Sequence, residues 1–291
     1  MWGEPFIGSE ALARGALNRH QLRTQYRAEF PDVYVPKLAR PSLQHRTVAA
    51  WLWSRRQATI AGLAAAALHG AKWIDDDVPV ELMHANGRAP HGIVTRRDVL
   101  LDGEVQMLAG RDVTTPERTA FDIGRRGSVM SAVARLDALA RATGFKVDDV
   151  ARLASRHRGA RGLRHLETAL DLVDAGAQSP KETWVRLVLI QAGYPRPQTQ
   201  IPVLGPDGLP IYYLDMGWED LMLAVEYEGS HHQTDRTRYV KDIHRLETVE
   251  HYRRWLIVRV VAEDRRADVV RRVGRAFDLR TSSVRTGRDF R

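Results

Sequence analysis

Residues Leu223 to Arg245 read LAVEYEGSHHQTDRTRYVKDIHR. An apolar run ends in Glu226 and Glu228, and Gly229, Ser230, His231 and His232 follow before a charged, helix-like pattern. In a strand, residues two apart share a face, so the two glutamates point one way while Val225 and Tyr227 point the other. A strand that looks buried yet ends in paired acids decides how the C-terminal third is read.

Working outward, the upstream stretch SPKETWVRLVLIQAGYP predicts a helix of about three turns. Short strands follow at TQIPVL, PIYYLDMGW and LMLAVEYEG, with a turn at GPDG. Downstream, Arg236 to Arg254 carries an apolar face at Val240, Ile243, Leu246 and Val249, WLIVRVV reads as a buried strand, and Asp264 to Leu279 as a closing helix. The order is α-β-β-β-α-β-α. A helix between the third and fourth strands permits a right-handed crossover to a parallel partner.

If the second and third strands form a hairpin turning near Asp220, Asp215 comes opposite Glu226. Asp215, Glu226 and Glu228 at one sheet edge repel when ionised and unpaired, and a cation relieves that. Oxygen-only ligands suit Mg²⁺ or Mn²⁺, which can polarise a phosphodiester and orient a water. Pairing with Arg245, Arg253, Arg254 or Arg259 relieves it equally. Glu182 completes a capping box with Ser179 and Pro180, and joins the acids only if that helix end faces them. His231 or His232 can act as general acid or base, or bond to loop backbone. Asp242 and Arg245 can pair along one helix, and Arg245 can instead grip a phosphate.

The chain has 291 residues, 44% hydrophobic and 27% charged, which allows a real core and about two domains. It has no cysteine, which excludes disulfides, zinc–thiolate sites and cysteine nucleophiles. No run is long and apolar enough to suggest a membrane span, and the N-terminus lacks a secretory pattern, so a cytoplasmic setting is expected. Net charge is +8, and residues 251–291 hold 12 Arg against 5 Asp and Glu, a local excess of +7. Arginine's planar fork suits phosphate, and the clustering reads as a nucleic-acid footprint or a solvated helix face with a basic tail.

Four regions are expected: 1–46, 47–175, 176–280, and a basic tail at 281–291. The first reads as two short helices, capped by Ser9 and Asn18, then a strand at DVYVP stopped by Pro36. That is the outline of a winged helix-turn-helix, whose second helix would offer Arg19, His20, Arg23 and Gln25 to DNA. The second region opens with a long helical pattern through Gly70 and continues with short strands. It then starts a helix at TTPERTAFDIGRR, with Thr115 as cap and Pro116 at the first position. It shows no catalytic constellation: His69, His84 and His91 are scattered.

The run SPKET…GYPRPQTQIPV…LPIYYLDMGWEDLMLAVEYEGSHH…KDIHRLETVEHYRRWLIVRV resembles the domain of unknown function grouped with the very-short-patch-repair (Vsr) endonucleases, within the PD-(D/E)XK superfamily. The resemblance implies an α/β fold class whose C-terminal domain is a restriction-endonuclease-like αβββαβ core with a mixed sheet. It implies Asp215 and Glu226 as metal ligands for Mg²⁺ or Mn²⁺, Glu182 as a further site residue, His232 after the third strand, and Asp242 with Arg245 on the next helix. Glu228 stands where the superfamily commonly has lysine, and without cysteine the zinc site of true Vsr enzymes cannot exist. Residues 1–175, an α+β element and a helical α/β middle region, are similar to AbiEi-type antitoxin proteins of actinobacteria. The likeness lies at DVYVP, AALHG and TTPERTAFDIGRR, and implies DNA binding without catalysis. Two functions are therefore expected: a metal-dependent DNA endonuclease, or a non-catalytic DNA-binding regulator on a degenerate nuclease fold.

Overall fold

The computed structural model describes residues 3–205, 207–229 and 255–285. The chain divides into two compact units, Met1–Val173 and Asp174–Arg291, and both are mixed α/β.

Unit 1 opens with β1 (Phe6–Ile7), α1 (Gly8–Ala13), α2 (Arg19–Gln25), β2 (Tyr26–Phe30) and β3 (Val33–Pro36). The strands form a sheet in the order β1-β3-β2. Asn18 caps α2 in a reciprocal box: its side chain accepts from the Gln21 N–H at 2.8 Å, and Gln21 accepts from the Asn18 N–H at 2.9 Å. Ser9 is not the cap of α1 expected from its position. Ile7 stands there, and Ser9 donates its N–H and hydroxyl to Asp32 in the β2–β3 turn, at 2.9 and 2.6 Å. Asp32 adopts a left-handed φ of 61° and also accepts from Arg55 at 2.9 Å, so this turn is tied down from two sides. Small apolar contacts close the element: Phe6, Ala11, Leu17, Leu22 and Tyr26 pack together.

The helical pattern expected through Gly70 is broken. α3 (Leu43–Trp53) and α4 (Gly62–Leu68) are separated by the strand β4 (Thr59–Ala61). The break follows from Arg55 and Arg56, both left-handed at φ 58° and 66°, which no helix accommodates. Ion pairs hold them there, Arg55 to Asp32 and Arg56 to Glu10 at 2.6 Å. β5 (Val80–Met83), β6 (Ile93–Arg96), β7 (Val105–Leu108) and β8 (Arg111–Thr114) complete a mixed sheet in the order β6-β5-β4-β8-β7, and α5 (Pro116–Gly124), α6 (Val129–Thr143), α7 (Val147–Arg156) and α8 (Leu163–Asp171) follow. One hydrophobic cluster joins Ile7, Phe30 and Val33 to Leu43, Ile60, Val80, Leu82 and Val113, so the first and second sequence regions share a core.

Unit 2 consists of α9 (Pro180–Gln191), β9 (Gln198–Leu204), β10 (Pro210–Trp218), a 3-10 turn (Glu219–Leu221), β11 (Leu223–Glu228), β12 (Leu256–Val261) and α10 (Arg266–Arg285). The sheet order is β12-β11-β10-β9, with β11 and β12 parallel and the other pairs antiparallel. Val185, Val188 and Leu189 of α9 pack with Val269, Val273 and Ala276 of α10 onto Met216, Trp218, Leu223, Val225, Val258 and Val260. A second cluster gathers Ile201, Val203, Leu214, Ala224 and Trp255. Gly217 is required where β10 and β11 meet, because a Cβ there would lie 2.2 Å from the Leu223 carbonyl oxygen. The residues expected as a tail from 281 continue α10 as far as Arg285.

Unit 1 also buries charge. Arg118 of α5 is fully buried and donates to Asp122 at 2.9 Å, to the Val99 carbonyl at 2.7 Å, and to Glu104. His157, at the C-terminal cap of α7, meets the other oxygen of Glu104 at 2.7 Å. Arg125 joins Asp98 to Asp122, and Arg126 joins Glu81 to Asp98. Removing one member of a buried pair strands its partner in low dielectric, at a cost of about 3–5 kcal/mol. Arg118→Ala is accordingly expected to lower stability by about that amount. A fall of under about 1 kcal/mol in urea titrations, the range of surface pairs, would show the network contributes little.

Candidate functional site

The β10–β11 ladder runs from Trp218↔Leu223 to Met216↔Val225. One step further the side chains take over from the backbone. The Asp215 N–H donates to Glu226 Oε1 at 2.7 Å, and the Tyr227 N–H donates to Asp215 Oδ2 at 2.8 Å. The Tyr212 hydroxyl donates to Glu226 Oε2. Two carboxylates on neighbouring strands therefore face each other as the hairpin register requires, each engaged by the other strand's backbone. Glu226 is 6% exposed, and no arginine or lysine among the described residues pairs with either acid.

Burial without a counter-charge penalises ionisation. Burial, then the charges of Glu226 and Glu182, pushes the Asp215 carboxyl up to about 8. Burial also pushes Glu226 up to about 7, against the opposing bonds from Tyr212 and the Asp215 N–H. Near neutral pH this pair holds a proton or calls for a cation.

Glu182 sits at the N-terminus of α9, 7% exposed, and its N–H is capped by the Ser179 side chain, but the expected reciprocal bond from the Ser179 N–H to Glu182 is not formed. The carboxylate accepts from the Gln178 N–H at 2.8 Å and from the Ser179 hydroxyl at 2.9 Å, while its charge still reaches Asp215 and Glu226. Glu228 does not share the burial of Glu226: it is exposed and meets Arg259 of β12 at 3.3 Å. His231, His232, Asp242, Arg245, Arg253 and Arg254 lie outside the described residues. Arg19 and Arg23 are exposed on α2, far along the chain from these acids.

As a donor set, Asp215, Glu226 and Glu182 are all oxygen and all acidic, which suits Mg²⁺ or Mn²⁺. Their arrangement is another matter. Among the described residues no group of three acid or imidazole side chains is placed to hold a metal ion. The oxygens of Glu226 and Glu182 are turned to hydroxyl and backbone donors.

Two features escaped the sequence. Tyr212, three residues before Asp215, buttresses Glu226, and nothing in PIYYLD marks that tyrosine above its neighbour Tyr213. The buried network of unit 1 was visible only as the i,i+4 spacing of Arg118 and Asp122 within TTPERTAFDIGRR; Glu104, Asp98 and Glu81 reach it through the fold.

Residues 60–175 match the family described as the AbiEi antitoxin C-terminal domain. The match takes in AALHG, TTPERTAFDIGRR and the whole buried network, and ends before α9. Two uncharacterized proteins of Mycobacterium tuberculosis, one from strain CDC 1551 and one from strain H37Rv, are each 30% identical to this chain over 177 residues. That stretch is 60% of this chain and 65% of each relative, so it spans just under two thirds of their length. No solved structure matches. The antitoxin-like resemblance is thus supported, while the Vsr-like reading of residues 176–280 gains no support from these matches.

The acid pair has a pH signature. Unfolded, Asp and Glu titrate near 3.9 and 4.3. Folded, both carboxyls are raised, so the folded state holds protons more tightly, and their contribution to stability falls as pH rises from about 4 through about 8. Thermal melts should therefore show the double variant Asp215→Asn, Glu226→Gln overtaking the wild type as pH rises from 5 to about 8.5. Parallel melting curves across that range would mean the pair is not held protonated.

Proposed function

We propose that this protein is an antitoxin-like, DNA-binding regulator that contacts DNA through α2. The observation that carries this is the state of the arginines in the first 56 residues. Arg14, Arg27, Arg46, Arg55 and Arg56 are each ion-paired to Glu10, Glu29 or Asp32. Arg19 and Arg23 are exposed on α2 and have no ion pair among the described residues. Lys37 and Arg40, just past β3, are likewise exposed with no ion pair among the described residues, so the uncommitted cations of this element lie on α2, beside His20 and Gln25, and at the end of the β3 strand. Two short helices with a three-stranded sheet, β1 before them and β2 and β3 after, have the outline of a winged helix-turn-helix, which lays its second helix in the major groove. The antitoxin family match in the same compact unit supports the reading.

Each phosphate contact contributes about one unit to the slope of log affinity against log salt. Arg19→Ala with Arg23→Ala is expected to weaken binding and reduce that slope by roughly two units. Electrophoretic mobility shifts over a salt series measure this, and unchanged affinity and slope would remove α2 from the interface.

A second reading is favoured by one observation, the facing acids Asp215 and Glu226, the latter buried, with no cation paired to them among the described residues. It is the metal-dependent DNA endonuclease, in which Asp215 and Glu226 would hold Mg²⁺ or Mn²⁺ with Glu182 or Glu228, and His232 would move a proton. Arg245, Arg253, Arg254 and Arg259 would lie along the strand. This reading expects cleavage of plasmid, single-stranded or mismatched DNA with added Mg²⁺ or Mn²⁺, abolished by Asp215→Ala. Intact DNA in every incubation, or cutting undiminished in that variant, would leave the regulator alone standing.

A further inference from the structure

Residues 150–166 hold five Arg and two His and no Asp or Glu, in a chain of net charge +8. The run covers the second half of α7, the turn from His157 to Gly162 and the start of α8. Arg152 pairs with Asp149, and Arg156 donates to the Asp102 carbonyl at 3.2 Å. Arg158, Arg161 and Arg164 are exposed, and no ion pair engages them among the described residues. The clustered arginines of α5 and its end differ: Arg118, Arg125 and Arg126 are each answered by Asp122.

The turn that carries them is fastened through other groups. His157 meets Glu104 at 2.7 Å, and Arg125 donates to the Arg161 carbonyl at 3.3 Å. Gly162, at φ 84°, packs so closely that a Cβ would stand 2.3 Å from the Arg125 carbonyl oxygen. His165 donates from Nδ1 to the Gly124 carbonyl at 2.7 Å. Arg158 gives its Nε to the Ser155 carbonyl at 3.3 Å and meets no acid. The backbone is thus held at 157, 161, 162 and 165, while the three guanidinium groups keep their charge unanswered. A surface held in place before binding lowers the ordering cost of a contact.

What this segment exposes narrows its partner. Leu153 and Leu166 are buried, and residues 150–166 contain no Phe, Tyr or Trp, so the apolar and aromatic anchors of a protein contact are missing. Single-stranded nucleic acid is held by bases stacked on aromatic side chains, and those are missing too. A duplex backbone needs cations and room to approach. The segment offers arginines three residues apart with Gly159, Ala160 and Gly162 between them, and a Cβ on Gly159 would meet nothing within 4 Å. The planar fork of arginine matches a phosphate. We infer that Arg158, Arg161 and Arg164 grip the phosphates of duplex DNA, a second contact that holds the duplex without reading its sequence. This rests on the reading of the protein as a DNA-binding regulator and adds to α2 a contact that only positions the duplex.

The experiment is fluorescence anisotropy of the full chain with two labelled DNA duplexes of unrelated sequence over a salt series. Arg158→Ala, Arg161→Ala and Arg164→Ala together are expected to lower the slope of log affinity against log salt by roughly three units, and to weaken both duplexes equally, at least about tenfold at low salt. Arg158→Lys, Arg161→Lys and Arg164→Lys together should keep the slope, since the charge remains. Arg158→Gln with Arg164→Gln, which leaves the anchored Arg161 unchanged, should lower it by roughly two units, and serves if circular dichroism shows the triple alanine variant unfolded. Lys72→Ala, Arg88→Ala and Lys146→Ala remove the same charge from other exposed sites of unit 1 and should change the slope by less than about one unit. Turn variants that bind like the wild type, while Arg19→Ala with Arg23→Ala binds weakly, would overturn this inference and leave the α2 contact standing. The reverse result would remove α2 and keep the turn. A loss matched by the triple variant at Lys72, Arg88 and Lys146, a loss confined to one duplex, or a wild type that binds neither duplex would also overturn it.

Discussion

The guanidinium of Arg118, buried to the last atom, is the constraint on which unit 1 is organised. A cation with no water around it must find acceptors at fixed positions, and those positions come from separate parts of the chain. Asp122 is supplied by the same helix, Val99 and Glu104 by the connection between β6 and β7. Glu104 in turn fixes His157 on α7. Burial works against ionising Glu104, yet His157, the Leu101 N–H and Arg118 together hold its carboxyl below the usual range. The acids Glu81, Asp98, Glu104 and Asp122 are answered by Arg96, Arg118, Arg125 and Arg126, four against four. Such a network adds little net stability over an apolar core, and its value lies in allowing only one arrangement of α5 against the loops.

Unit 2 buries charge in the opposite way. Asp215 and Glu226 are brought together with like charge, and among the described residues their donors are a tyrosine hydroxyl and backbone N–H groups rather than cations. The hairpin geometry forces this, because the ladder places residue 215 opposite residue 226 wherever Met216 pairs with Val225. An arrangement that leaves acids short of compensation stores a response to protons or cations. Among the described residues the same physics therefore separates the two units: one pairs its buried charges, the other leaves its facing acids without a cation. The family match falls on the former.

Legibility followed the range of the forces involved. Asn18, Ser42, Thr115 and Ser179 cap their helices through bonds spanning three residues; for Asn18, Thr115 and Ser179 this was readable directly from the chain. The hairpin register at Asp215 and Glu226 was readable because alternation and a short turn leave few choices. Ser9 misled because the stronger acceptor, Asp32, lies 23 positions away. The continuous helix through Gly70 misled because helical periodicity carries no sign of Arg55 and Arg56 being held left-handed by distant acids. Glu226 and Glu228 share a face by period, yet Glu226 is buried beneath the Tyr212 hydroxyl, while Glu228, the last residue of β11, is exposed and meets Arg259.

By itself the sequence determined where α2, α5 and α9 begin, which acids oppose each other across the β10–β11 hairpin, and that positive charge collects toward the end of the chain. Only the tertiary structure decided which charges are neutralised. It paired five early arginines and left Arg19, Arg23 and Arg40 exposed, gave Arg118 the distant Glu104, and denied Asp215 and Glu226 any cation among the described residues. The reason is that local bonding depends on spacing along the chain, whereas the cost of a charge depends on its surroundings, and those are assembled from residues far apart in sequence.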